Sequence, residues 1–143
     1  QESLLPGTYF AGLSYSNKIH GEELTDDNTN LTYWLYGEQS LYKAGNRHVD
    51  LMAQFSQNLS VDFGCKRYMG AGVLLYNILT DKIDNTLGVV VNNADYDFGD
   101  ETVVEATYSL QLTDNIAIQP AYQRIWNDEG NYNAALLRLN VEF

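Results

Sequence analysis

Along most of this chain apolar residues return at every second position, and the positions between them are small or polar. A period of two gives a β-strand two unlike faces, whereas a helix would repeat near 3.6. Tyr9, Ala11, Leu13 and Tyr15 share one parity and Thr8, Gly12, Ser14 and Ser16 the other, which predicts a strand over 7–19. Leu31, Tyr33 and Leu35 mark a second over 31–42. Val49, Leu51, Ala53 and Phe55, set against Asp50, Met52, Gln54 and Ser56, mark a third over 48–57. The fourth, within 62–79, is less regular: Met69, Ala71, Val73 and Leu75 share one parity, but Tyr68, Leu74 and Tyr76 load the other. Leu87, Val89 and Val91 define a fifth over 86–93. A sixth, over 101–113, sets Val104, Ala106, Tyr108, Leu110 and Leu112 against Glu105, Thr107, Ser109 and Gln111. The seventh, over 116–126, opposes Ile118 and Tyr122 to Gln119, Ala121 and Gln123. The eighth, over 134–143, opposes Ala135, Leu137, Leu139, Val141 and Phe143 to Leu136, Arg138, Asn140 and Glu142. Proline donates no ladder bond, so a bulge or a locally unpaired position is expected at Pro120.

These segments run to about ten residues, longer than the usual ~5–6 of globular strands and close to the ~9–11 that cross a bilayer. The longest apolar run, 72–79, is broken by Tyr76 and Asn77, far short of the ~20 residues of a spanning helix. Lipid offers no hydrogen bonds, so spanning strands must close on themselves. The reading is therefore all-β: an antiparallel transmembrane β-barrel, with about eight strands here in one segment, 1–143. The connections 43–47, 80–85 and 113–115 read as short turns, and 20–30 and 92–100 as longer polar loops. Short periplasmic turns against longer outer loops are the expected asymmetry. A terminal Phe143 on an apolar parity resembles the assembly signal of outer-membrane barrels. It would place the C-terminus, and with it the short turns, on the periplasmic side.

Composition narrows this further. The 11 tyrosines suit strands and membrane interfaces. A net charge of −11 argues against binding a nucleic-acid backbone, which needs clustered Lys and Arg. Cys65 is the single cysteine, so no internal disulfide forms. The chain opens at Gln1 with no initiator Met and no signal peptide, as expected of a processed chain or a piece of a longer one.

Four blocks and the closing strand carry a family resemblance. They are Leu35-Tyr36-Gly37-Glu38-Gln39-Ser40-Leu41-Tyr42, Asp84-Asn85-Thr86-Leu87-Gly88-Val89, Glu101-Thr102-Val103-Val104-Glu105-Ala106-Thr107-Tyr108, Ile118-Gln119-Pro120-Ala121-Tyr122-Gln123, and the final Leu137-Arg138-Leu139-Asn140-Val141-Glu142-Phe143. In this order, from about Leu31 onward, the chain resembles the carbohydrate-selective porins of the OprB family. Two places depart from the family pattern. Ala121 stands where an acidic residue is frequent, and the stretch 63–67, with Cys65, Lys66 and Arg67, has no counterpart. The resemblance implies an outer-membrane location in a Gram-negative cell and passive diffusion of carbohydrates and small solutes, with no catalysis and no cofactor. It also implies sixteen strands in the parent, of which these eight would form the C-terminal half. Its partners would be outer-membrane lipid and small sugars, without nucleic acid, and a homo-oligomer is compatible with it.

Solute contacts are expected on the polar parity of the last three strands: Glu105, Thr107, Ser109, Gln111, Gln119, Gln123, Arg138, Asn140 and Glu142. Carboxylates, amides and a guanidinium supply the donors and acceptors that sugar hydroxyls need in a wet channel. Arg138, near the middle of its predicted strand, is placed to sit at a constriction. The plainer alternative is that alternation alone lines any water-filled barrel with such residues. Arg124 and Trp126 share the apolar parity, which suggests lipid-phosphate and girdle roles unless a bulge at Pro120 flips them. His20 and His48 stand apart from any nucleophile motif, and Asp26, Asp27 and Asn28 lack the pattern of a calcium loop. No catalytic, metal or cofactor residue is assigned. Two alternatives remain: a complete small eight-stranded outer-membrane barrel with an anchoring, adhesion or enzymatic role, and a soluble binding barrel of lipocalin type.

Overall fold

The computed structural model describes residues 5–16, 18–19, 22–23, 30–59 and 65–143. Among the described residues every element is a strand: β1 (Gly7–Ser16), β2 (Lys18–Ile19), β3 (Glu22–Glu23), β4 (Asn30–Ala44), β5 (Arg47–Asn58), β6 (Cys65–Tyr76), β7 (Asn85–Tyr96), β8 (Gly99–Thr113), β9 (Ile116–Asn127) and β10 (Gly130–Val141). Eight of them form one antiparallel sheet in the order β1-β4-β5-β6-β7-β8-β9-β10, and β2 pairs with β3 in a separate short ribbon. Neighbours in sequence are thus neighbours in space, and the sheet is an open meander. Its two edges, β1 and β10, do not pair with each other.

The alternation survives into the register. One row across the sheet runs Leu51, Val73, Val89, Ala106, Tyr122, Ala135. The row beside it on the opposite face runs Glu38, Met52, Gly72, Val90, Glu105, Gln123, Ala134. A single antiparallel layer with unlike faces has no interior. Only Ala94 and Ala117 are buried apolar residues among those described, while Leu13, Leu137 and Leu139 are 71%, 75% and 64% exposed. Ladder hydrogen bonds hold the layer together, and its apolar face lacks a covering layer.

Four sequence expectations change. The segment 92–100 is no loop: β7 runs on to Tyr96 and β8 begins at Gly99, joined by Asp97 and Phe98 alone. Likewise β10 starts at Gly130, not 134, after a turn of Asp128 and Glu129. Asn127 builds that turn, its Oδ1 accepting from the backbone N–H of Glu129 (3.0 Å) and Gly130 (3.2 Å). Gly99 and Gly130 follow their turns at φ of +134° and +142°, a region in which a Cβ is strained. The 77–84 connection, by contrast, takes eight residues before β7 opens at Asn85. The contrast between short and long connections is accordingly weaker than the sequence suggests. Finally, β1 stops at Ser16, and the remaining Lys18–Ile19 pairs with Glu22–Glu23. Most of the predicted 20–30 loop, with His20, Asp26, Asp27 and Asn28, lies outside the described residues.

Pro120 takes the second of its two expected forms. Its β10 partner Leu137 is in register, but the β8 ladder shows no pair between Thr107–Ala121 and Leu110–Ile118, with the same register on both sides of the gap. The imide nitrogen interrupts pairing without inserting a residue, so the faces do not flip. Register shifts fall elsewhere, between Ser40 and Tyr42, Cys65 and Arg67, and Gln111 and Thr113.

Candidate functional site

The polar face carries the candidate site. One hydrogen-bonded part of it centres on Glu105 on β8. Thr107 Oγ donates to one carboxylate oxygen at 3.1 Å, and Gln123 Nε2, from the paired position on β9, donates to the other. Both oxygens are thereby oriented by neutral donors, and the negative charge stays uncompensated at that point of the face. Gln119 and Arg138 are register partners across β9 and β10. Because β10 begins at Gly130, Arg138 falls in the last third of its strand rather than at the middle. Ser109 and Gln111 line a cavity of about 260 Å³ with Tyr76, Asn77, Asp84, Asn85 and Thr86. Gln111 is partly engaged there, its Nε2 donating to the Thr113 carbonyl at 2.7 Å. Asn140 pairs with Ala117 near the strand end, and Glu142 lies past the end of β10. Glu142 is tied by its backbone to Asn115, giving N–H to the Asn115 carbonyl (2.9 Å) and accepting from Asn115 Nδ2 (3.0 Å). The nine predicted residues thus separate into a trio around Glu105, the Gln119–Arg138 pair, the cavity pair, and two terminal residues.

A second polar group was missed in the sequence. On the same face, Tyr36 Oη donates to Glu38 Oε2 at 2.8 Å, and Ser40 Oγ donates to Asp50 Oδ1 at 2.7 Å. Asp50 is only 6% exposed. His48 Nε2 lies 3.7 Å from its other oxygen, and the imidazole stacks on Tyr76 at 3.9 Å between centroids. The signal was present: Asp50 and Gln54 alternate with Val49, Leu51 and Ala53 just as Glu105 and Thr107 alternate with Val104 and Ala106. The carboxylate stands between the hydroxyl and the imidazole, so His48 is not placed to take the Ser40 proton, and the three do not form a nucleophile relay. Farther along, Gln54 Nε2 donates to Tyr68 Oη (3.1 Å) and to Asn92 Oδ1 (3.4 Å). Gly70 makes that approach possible, since a Cβ there would meet Asn92 Oδ1 at 2.2 Å. Tyr68 and Tyr76, ambiguous in sequence, therefore belong to the polar face.

At the sheet ends the charges pair. Arg47 grips Asp81 with two bonds, Nε–Oδ1 at 2.8 Å and Nη2–Oδ2 at 2.6 Å, and this holds the Asp81 carboxyl below the usual carboxylate range. At the opposite end Lys66 meets Asp97 (3.2 Å) and Arg67 meets Asp95 (3.9 Å). The Cys65 thiol donates to the Arg67 carbonyl at 3.3 Å. Among the described residues no group of three or more His, Cys, Asp or Glu is arranged to hold a metal ion.

Comparison with protein families gives a match to "Carbohydrate-selective porin, OprB family" over residues 1–143. The match takes in β1 as well as the blocks from Leu31 onward. No curated protein and no solved structure matched significantly.

Proposed function

Because the chain belongs to the carbohydrate-selective porin family, we propose that it forms part of the wall of a channel through which sugars and other small solutes diffuse passively. The family is one of the Gram-negative outer membrane, built of β-barrels and in general not enzymatic. The observation that carries the reading is the pair of unlike faces on one uncovered layer. The apolar face exposes Leu51, Val73, Val89, Tyr122, Leu137 and Leu139, a surface suited to lipid and unsuited to water. The polar face carries Glu38, Asp50, Glu105, the amides of Gln54, Gln119 and Gln123, and Arg138, suited to a wet lumen.

On β8 the apolar face extends from Val104 to Leu112, about 27 Å at ~3.4 Å per residue. At the usual tilt of ~35–45° this covers roughly 20 Å of bilayer, close to the ~25 Å apolar band of such barrels. Sugar hydroxyls would meet the Glu105–Thr107–Gln123 trio and the Tyr36–Glu38 and Ser40–Asp50 pairs. Arg138, Gln119, Ser109, Gln111, Asn140 and Glu142 would contribute nearer the end that carries Phe143. Residues 1–143 act in this reading as a single segment, the C-terminal part of a sixteen-stranded barrel. What supports the larger barrel over a complete eight-stranded one is that β1 and β10 both present open edges, which lipid does not tolerate.

The test is swelling of liposomes that contain the refolded full-length protein, diluted into isosmotic sugars. Swelling that is fast with monosaccharides and slows with disaccharides and trisaccharides is expected. Folded, inserted protein that lets no sugar pass would contradict the proposal.

A further inference from the structure

Among the described residues, one cation stands within the apolar rows of that face. Because Pro120 does not flip the register, Arg124 lies on the same face as Ile118, Tyr122, Leu137 and Leu139. It is exposed, and its cross-strand neighbours are Val104 and Asn133. Among the described residues it takes part in no ion pair, whereas Arg47, Lys66 and Arg67 each hold a carboxylate. Its single described hydrogen bond is a long one, Nη1 to Asn133 Oδ1 at 3.4 Å, and that oxygen already accepts from Tyr122 Oη at 2.8 Å. A guanidinium has five N–H donors, so most of them stay free.

The direction of the side chain is fixed. The guanidinium carbon stands 5.4 Å from the Trp126 ring centroid, two residues nearer the end of the sheet away from Phe143. From β7 to β10 the row at Trp126 is the level where the apolar face turns polar: there it runs Asn93, Thr102, Trp126, Asn131, and Asn93 Nδ2 donates to Thr102 Oγ at 3.0 Å. Arg124 therefore rises from the last apolar row and lays its head at the interface, over the indole, as a snorkelling side chain does. An unpaired cation is held there, facing outward, where the bilayer places its headgroups. Such a group is tolerated at the interface, and its fork of donors matches a phosphate better than any neutral headgroup atom.

We infer that Arg124, stacked on Trp126 and steadied by Asn133, is a binding site for the phosphate of a phosphorylated lipid in the leaflet at the end of the sheet away from Phe143. The site rests on the outer-membrane placement of the barrel and is independent of what passes through the lumen.

The test uses the full-length protein, delipidated in detergent and titrated with bisphosphorylated lipid A or its dephosphorylated counterpart, with bound lipid read by native mass spectrometry. Wild type should retain the phosphorylated lipid, and Arg124→Gln should weaken that binding about tenfold or more, the usual effect of losing a hydrogen-bonded charge partner. Arg124→Lys should fall between the two, keeping charge but losing the fork. Lys82→Gln, in the turn at the other end of the sheet, removes the same charge and should change nothing. Arg124→Gln binding within twofold of wild type, or equal retention of the dephosphorylated lipid, would overturn the inference. So would a loss of oligomer in Arg124→Gln with unchanged lipid binding, which would make the patch a protein contact. If Arg124→Gln does not refold, Arg124→Lys and the two lipids decide: equal affinity of Arg124→Lys and wild type for both lipids also overturns it.

Discussion

Two alanines test the assignment of faces. Ala106 on β8 pairs with Tyr122 in the middle rows of the apolar face, and Ala121 on β9 pairs with Thr107 on the polar face. They lie on adjacent strands, one residue apart in depth. Replacing each with Arg introduces the same side chain with the same strand propensity, so only the environment differs. An Arg on the lipid side near the midplane costs about 2–4 kcal/mol, while a lumen-side Arg leaves stability nearly unchanged and alters selectivity. The folding equilibria of the two variants should therefore differ by roughly 30- to 700-fold, at ~1.4 kcal/mol per factor of ten. Urea unfolding of the full-length protein from lipid vesicles, followed by tryptophan fluorescence, measures the difference directly. Equal losses, or a larger loss for Ala121→Arg, would refute the lipid-facing assignment and with it the membrane role of the apolar face.

Further outcomes follow from single contacts. Gly130→Ala has no neighbour within 4 Å of the new Cβ, so the loss it causes, about 1–3 kcal/mol, should come from φ alone. Gly99→Ala should cost about the same, since the only added demand on its Cβ is that the exposed Asp128 carboxylate swing aside; urea midpoints compare the two. The Asp81 carboxyl is held below its unfolded value of ~3.9, so its contribution is fully present above that pH and is lost as pH falls through the lower folded value. The stability difference between wild type and Asp81→Asn should accordingly hold from neutral pH down to about pH 4 and shrink only below it, as paired unfolding curves would show. Ser40→Ala removes a hydroxyl donor to a buried Asp50 oxygen and should destabilise by about 1–3 kcal/mol, against well under ~0.5 kcal/mol for the exposed Ser14→Ala.

Much of this fold was legible because a strand face is written at every second residue. Val104 to Leu112 against Glu105 to Gln111 sets β8 and its two environments without any knowledge of the neighbours, and the register then carries that assignment across the sheet. The hairpins were harder. The segment 92–100 reads as a loop and 127–133 lies between the predicted seventh and eighth strands, yet in both Asp97-Phe98-Gly99 and Asp128-Glu129-Gly130 a glycine in third place marks a tight reversal. That spacing would have moved the starts of β8 and β10, and with them the level of Arg138. The site was legible as a face and not as contacts. Glu105, Thr107 and Gln123 meet because β8 and β9 pair 101 with 127, a register set by the Asp114–Asn115 turn together with the shift between Gln111 and Thr113, and not by any local pattern. The group around Asp50 was not legible locally: His48 was weighed as an isolated residue, while the pairing of Ser40 with Asp50 depends on the register shift between Ser40 and Tyr42.

The central claim is that the polar face lines a sugar-permeable pore. Its most direct test is the conductance of the full-length protein in planar bilayers, with and without mono- and disaccharides. Stepwise currents that sugar reduces in a concentration-dependent way, with the reduction altered in Glu105→Gln, are the predicted result. Stable insertion without conductance, or steps indifferent to every sugar tried, would contradict it.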